Sequence, residues 1–195
     1  MAIALDKSSI TYSQENTLMI EEFLALPETK PANDFIDGQI YQKTMPQGQH
    51  SILQAQIVTS INLIGQPQKL AFAFPELRCT FGGISIVPDI AVLRWANIPF
   101  LPNKRVDNRI LVPPDWIIEI LSPDQSPLRV MNKISSAITN GSELGWLISP
   151  AQDLIITYEG DRIPEMKKGK DILPVLNVLD CQVTVDDVFN FLCLG

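Results

Sequence analysis

The pattern of apolar and polar positions changes period several times along this chain, and each change marks an element. Between Gly48 and Ile64, Leu53, Ile57, Ile61 and Ile64 recur at helical spacing, and Gly65 with Pro67 supplies a stop. Thr17 reads as the N-cap of an earlier helix, with Glu21 and Glu22 in its first turns, running to about Leu26 before Pro27 ends it. Ser126-Pro127 opens another that reaches about Thr139 and stops at Asn140-Gly141. Thr184, with Asp187 three residues on, makes a capping box for a last helix through Phe191.

Strand patterns fill the intervals. Asp34 to Tyr41 carries Asp37-Gly38 between apolar positions, the signal for a type I′ hairpin. Leu70–Phe74, Leu77–Phe81 and Ile84–Leu93 follow one another, with Gly82-Gly83 as a tight turn, and three strands in succession predict an antiparallel meander. Leu144–Ser149 and Leu154–Glu159 form a hairpin across Pro150–Asp153. Residues 95–114 hold several prolines with Lys104, Arg105 and Arg109, and read as a long surface loop with a brief strand at Ile110–Val112. Lys167-Lys-Gly-Lys170 is a polar connection before an apolar run from Ile172 to Leu179. Residues 1–16 are a polar lead expected to be flexible, and the whole of 1–195 is read as one domain.

Two strands contain an acid that this pattern does not explain. Trp116-Ile-Ile-Glu-Ile-Leu-Ser122, fenced by Pro113-Pro114 and Pro123, reads as a fully buried strand with Glu119 at its centre. Asp89 interrupts Ile84–Leu93 in the same way. A carboxylate in such a place costs several kcal/mol unless a cation, hydrogen bonds or a proton neutralises it.

Composition narrows the chemistry. With 195 residues and 46% hydrophobic content the chain can bury roughly 70% of its unfolded surface as one globular domain. The net charge of −7 disfavours polyanions over the molecule as a whole, so a phosphate-binding face needs a local cluster or oligomerisation. Cys79, Cys181 and Cys193 are odd in number and widely spaced, against a disulfide framework or a zinc knuckle. No apolar run is long enough to span a membrane and no signal-peptide pattern opens the chain, which predicts a soluble cytoplasmic protein. His50 is the one histidine, so carboxylate and lysine chemistry is what remains.

Asp89 and Glu119, brought side by side on central strands, would repel each other unless a divalent cation lay between them. Magnesium fits best, since one or two carboxylates plus waters are its habitual set. Lys133, on the helix after the Glu119 strand, would then orient and help deprotonate a water. The competing structural reading pairs Glu119 with Lys133 or an arginine in a buried ion pair without metal. His50 reads as a polar residue near the site mouth rather than a base. The three tryptophans read as core or interface aromatics and the basic clusters as solvated loops.

Pro88-Asp89, Glu119 in Ile118-Glu-Ile-Leu-Ser-Pro123 and Lys133 together resemble the P-D...(D/E)-x-K nuclease superfamily. More narrowly they resemble its restriction-endonuclease-like family called the Uma type, whose lysine moves from the strand to the next helix. Met19 to Pro27, Phe35 to Tyr41, Pro46 with His50, Val87 to Val92 and Gly141 to Pro150 match in the same order. The resemblance implies a restriction-endonuclease-like α/β (α+β) fold, a mixed central sheet flanked by helices. It also implies an endonuclease acting on DNA with Mg²⁺, Mn²⁺ being possible, and a homodimer. Asp89 and Glu119 would bind metal, Lys133 would position the water, and Asp34 would stand where the family carries a glutamate that supports the metal. This chain departs from the pattern in having Leu121 at the usual strand-lysine position, Ala137 and Gly145 where tyrosine is common, and Arg129 where aspartate is. The alternative function is a catalytically weakened member serving as a nucleic-acid or protein interaction module.

Overall fold

Asp37 and Gly38, with φ of 52° and 74°, turn the chain between β1 (Asn33–Ile36) and β2 (Gln39–Gln42), as the Asp-Gly pair predicts. The computed structural model describes residues 19–123 and 125–195. The polar lead and the predicted Thr17 cap lie outside them, and the first described helix is α1 (Ile20–Leu24). The other helices, α2 (Gly48–Gly65), α3 (Pro127–Thr139) and α4 (Val185–Asn190), fall where the stop and start signals put them. Thr184 and Asp187 form the expected reciprocal cap on α4.

The strands make two sheets. One is antiparallel, in the order β2-β1-β5-β4, with β4 at Cys79–Phe81 and β5 at Ile84–Ile86. The other has six strands: β10 (Glu165–Lys168), β9 (Leu154–Glu159), β8 (Leu144–Ser149), β7 (Trp116–Ile120), β6 (Ile90–Arg94) and β3 (Ala71–Pro75), in that spatial order. It is mixed because β7 and β8 run parallel, joined by α3.

Two strand expectations are corrected. The predicted Ile84–Leu93 strand is broken at Val87-Pro88-Asp89, where proline has no N–H to donate to a ladder, and its halves enter different sheets. The predicted meander over residues 70–93 therefore resolves into β3 paired with β6, and a β4–β5 hairpin that joins β1 instead. A true antiparallel meander occurs later, over β8, β9 and β10. There Lys167 and Lys168 belong to the outer strand rather than to a loop, and lysines on an edge discourage pairing with another chain. The apolar run 172–179 forms no strand. Leu173, Leu176 and Leu179 are buried against the six-stranded sheet, and Trp146 donates its indole N–H to Pro174 O at 3.0 Å.

Alternation along β7 sorts the layers. Trp116, Ile118 and Ile120 face a core built with Leu53, Ile57 and Ile61 of α2 and Val185 and Val188 of α4. Ile117 faces the opposite core, shared with Val130, Ile134 and Ala137 of α3 and with β4 and β5 of the smaller sheet. Both faces are thus covered, which is why all five residues of β7 are buried. The parity puts Glu119 on the α3 side.

Gly145 of β8 lets α3 approach. A Cβ there would come within 2.5 Å of Ile134 Cγ2 and 3.3 Å of Tyr158 Cβ. Gly145→Ala is expected to destabilise the fold by about 1–3 kcal/mol through overpacking, measured as a lower urea midpoint. An unchanged midpoint would show that α3 has room to retreat.

Candidate active site

In the ladder between β6 and β7, Ile90 opposes Ile118 and Ala91 opposes Ile117. Continued by one residue, this register puts Asp89 opposite Glu119, and Ile120 N–H donates to Asp89 Oδ2 at 2.7 Å. Asp89, Ala91 and Leu93 share one parity, as Ile117 and Glu119 do, so both acids stand at the same side of the sheet. They are buried at 3% and 1% exposure, which leaves no solvent to neutralise them.

Two lysines meet the two acids. Lys133 of α3 places its ammonium 2.8 Å from Glu119 Oε1 and 2.9 Å from Asp34 Oδ2, and donates to Val87 O at 2.9 Å. The other oxygen of Asp34 accepts from Val87 N–H at 2.7 Å. Asp34, Lys133, Glu119 and the Val87-Pro88-Asp89 break are thereby one cluster. Lys43 was not expected. Its ammonium lies 2.8 Å from Asp89 Oδ1 and 3.0 Å from Glu76 Oε1, and it donates to Val87 O at 2.9 Å. A signal for it existed: Asp34 opposes Tyr41 in the hairpin, so Lys43, two residues past Tyr41, continues the Asp34 face.

His50, in the first turn of α2, lines a cavity at the cluster and also belongs to the cluster itself. Its Nε2 is 3.0 Å from Asp89 Oδ2, and the residue is 7% exposed. Gln54, one turn on, donates to Asp89 O at 2.7 Å. Asp89 is thus gripped from the hairpin, from α2 and from β7 together.

The environments pull the two acids apart. Burial penalises the Asp89 carboxylate, but Lys43, the His50 hydrogen bond and Lys133 outweigh it and hold its pKa below the usual carboxylate range. Burial pushes the Glu119 carboxyl up to about 8, against the opposing pull of Lys133, with Asp89 and Asp34 adding to the rise. Burial also works against both ammonium groups. Asp34, Glu119 and Asp89 nevertheless hold Lys133 above its ordinary value, and Asp89 heads the groups that do so for Lys43. Both lysines are charged, so Lys133 can donate hydrogen bonds but cannot accept a proton.

Once Glu119 ionises, three buried carboxylates, Asp34, Asp89 and Glu119, face two buried lysines, which leaves a negative excess that Glu76 increases. Although Lys133 is close to Glu119 Oε1, that oxygen has no well-aligned hydrogen bond. Excess negative charge, hard oxygen donors and an orphaned buried acceptor fit a small divalent cation, for which one or two carboxylates suffice. Among the described residues no three His, Cys, Asp or Glu side chains form a ready-made cage.

A cavity of about 510 Å³ is lined by Lys43, Gln54, Glu76 and Val87, and two more reach the cluster. One, of about 150 Å³, is lined by Asp34, Tyr41, Lys43, Arg129 and Lys133. The other, of about 490 Å³, is walled by His50 and by the segments after β7 and β8. Gln125 borders both.

The sequence model of the family Uma2, described as "Putative restriction endonuclease", matches residues 20–186. The crystal structure of a putative nuclease belonging to DUF820 from Anabaena variabilis is similar at a TM-score of 0.87 and 42% identity, over 90% of this chain and 99% of that one. No curated protein matches the chain. No helix among the described residues is long and apolar enough to cross a membrane.

Two expectations follow from the electrostatics. An acid raised from 4.5 to about 8 on folding stabilises the fold fully below the lower value and loses that contribution as pH climbs to the higher. Urea melts from pH 5 to pH 9 are therefore expected to show the wild type losing stability relative to Glu119→Gln, by at most roughly 1.4 kcal/mol per pH unit. A constant difference would mean that Glu119 stays ionised. Lys43→Met, which strands the Asp89 charge, is expected to cost about 3–5 kcal/mol in the same assay at neutral pH.

Proposed function

This chain belongs to the Uma2 family of putative restriction endonucleases, and from that premise we propose that it is a Mg²⁺-dependent nuclease hydrolysing phosphodiester bonds of DNA. The observation that carries the proposal is the opposition of Asp89 and Glu119 on neighbouring strands, with the Lys133 ammonium on Glu119. In this reading Asp89 and Glu119 hold the ion, and Mn²⁺ can replace Mg²⁺. When bound, it would offset charge developing on a phosphoryl oxygen and acidify a coordinated water.

The remaining roles belong to the protein's own groups. Lys133, kept protonated, donates to the attacking water and orients it in line with the phosphorus. Asp34, whose oxygens are engaged by Val87 N–H and Lys133, supports the metal indirectly by keeping that ammonium aimed. Lys43 balances Asp89, so that the acid stays ionised and able to ligate. The 150 Å³ cavity sets Lys43, Lys133 and Arg129 around one space, and Arg129 stands 5.0 Å from the Tyr41 ring centroid. Lys43 and Lys133 already offset buried carboxylates, so the local positive field that a phosphate needs on a chain of net charge −7 would come from Arg129 and from a cation held by the acids. One cluster cuts one strand, so cleavage of both strands calls for two, and we propose a homodimer acting in the cytoplasm.

A second reading, an interaction module with weakened catalysis, is favoured by one observation: both acids are already contacted by lysines at 2.8 Å. Calorimetric Mg²⁺ titration and plasmid cleavage separate the two. The nuclease reading expects binding in the wild type, lost at least tenfold in Asp89→Ala and Glu119→Ala. It also expects Lys133→Met to bind metal yet cleave at least about 100-fold more slowly. Metal binding without cleavage, or cleavage indifferent to Lys133, would favour the module; no metal binding at all would leave a structural ion-pair cluster.

A further inference from the structure

The cavity of about 490 Å³ beside His50 differs in chemistry from the one that holds the lysines. Its size is ordinary for a small-ligand site, roughly 300–1,000 Å³. Among its described lining residues there is no aspartate, glutamate, lysine or arginine. The polar groups are the amides of Gln47, Gln49, Gln125 and Gln152 and the hydroxyls of two serines, set between proline, leucine and alanine side chains. An anion entering here would meet no lysine or arginine among the described lining residues. A neutral planar group with its own donors and acceptors would meet apolar faces and amides, each of which offers both halves of a hydrogen bond.

Two further observations point to a ligand of that kind. His50 lines this cavity, is 7% exposed, and its Nδ1 is buried with no hydrogen-bond partner. Its Nε2 faces Asp89 Oδ2 at 3.0 Å, so Nδ1 is the ring nitrogen left without a partner in this wall. Two of the glutamines are anchored by their oxygens: Gln152 Oε1 accepts from Ser149 Oγ and Gln125 Oε1 from Ser122 N–H, both at 3.3 Å. That fixes the carbonyl end of each amide and leaves the NH₂ as the end that donates to a ligand. The cavity thus offers amide donors between apolar walls, with an unpartnered imidazole nitrogen in the wall.

We propose that this cavity takes an unpaired nucleobase of the substrate, adjacent to the phosphodiester bond that Asp89, Glu119 and Lys133 act upon. The inference rests on the nuclease reading and deepens it. The anionic part of a nucleotide is drawn to the Arg129 side, and its neutral base to the amide side, with the acid cluster between them. A base stacked in a duplex cannot enter, so it must be unpaired, as for other enzymes that seat a single base in a pocket.

The experiment measures binding of a short single-stranded DNA and of the same strand with an abasic site walked along it, without divalent metal, so that cleavage plays no part. Wild-type protein is expected to bind the intact strand about tenfold more tightly than the strand abasic at one position, and equally at the others. The double variant Gln125→Ala/Gln152→Ala, which leaves the acid cluster untouched, is expected to melt like the wild type and to lose that discrimination. Gln125→Glu/Gln152→Glu, which keeps the shape and adds charge, is expected to lose it as well. If the wild type binds DNA but no abasic position matters, or if both double variants still discriminate, the base pocket is wrong and the nuclease reading stands. If no DNA binds while Mg²⁺ titration still depends on Asp89 and Glu119, the DNA reading fails and takes this inference with it.

Discussion

Everything at the centre of this molecule answers to the cost of keeping Asp89 and Glu119 out of water. Each ionised carboxylate taken into a sheet interior loses hydration worth several kcal/mol, recovered only if cations and donors are fixed nearby. The protein spends four separate elements on that task. The hairpin β1–β2 brings Asp34 and Lys43, α2 brings His50 and Gln54, α3 brings Lys133, and β7 brings a backbone N–H. Removing any one would leave a buried charge short of a partner. A fold that merely needed stability would have put leucine in both places.

The break at Val87-Pro88-Asp89 makes the convergence possible. Val87 gives its N–H to Asp34 and its carbonyl to both Lys43 and Lys133, because the chain there has left one sheet and not yet joined the other. A continuous strand would have spent those groups on a ladder. The same break lets Asp89 reach β7 and α2 together, since a side chain at a strand end is not confined to one face. Gly145 plays the matching part on the other side, where the absence of a Cβ lets Ile134, and with it the neighbouring Lys133, come close to the sheet.

The arrangement divides the labour between the two acids. Asp89, surrounded by positive charge and donors, stays ionised; Glu119, the deeper of the two, holds its proton more tightly. Lys133 stays charged between Asp34 and Glu119, so it donates hydrogen bonds and does not accept a proton. The cations open on one cavity and the uncharged amides on another, so the two cavities differ in chemistry.

Much of this was legible in the sequence. Helical spacing and caps placed α2, α3 and α4 because those signals are local, and Asp37-Gly38 fixed a hairpin because few residue pairs tolerate two positive φ angles. Glu119 and Asp89 stood out because an acid amid Ile, Val and Trp violates the burial pattern, and a lone histidine limited the chemistry. Lys43 and the role of His50 did not stand out, and neither did the assignment of β4 and β5 to a second sheet. Hairpin parity puts Lys43 on the Asp34 face, but that alone does not distinguish it from a solvated lysine. Its meaning comes from Asp89, 46 residues away, once two sheets have docked. Local pattern therefore determined which segments fold and which side chains need neutralising. The pairing of distant strands alone decided who neutralises them, because a charge's partner is set by distance through space.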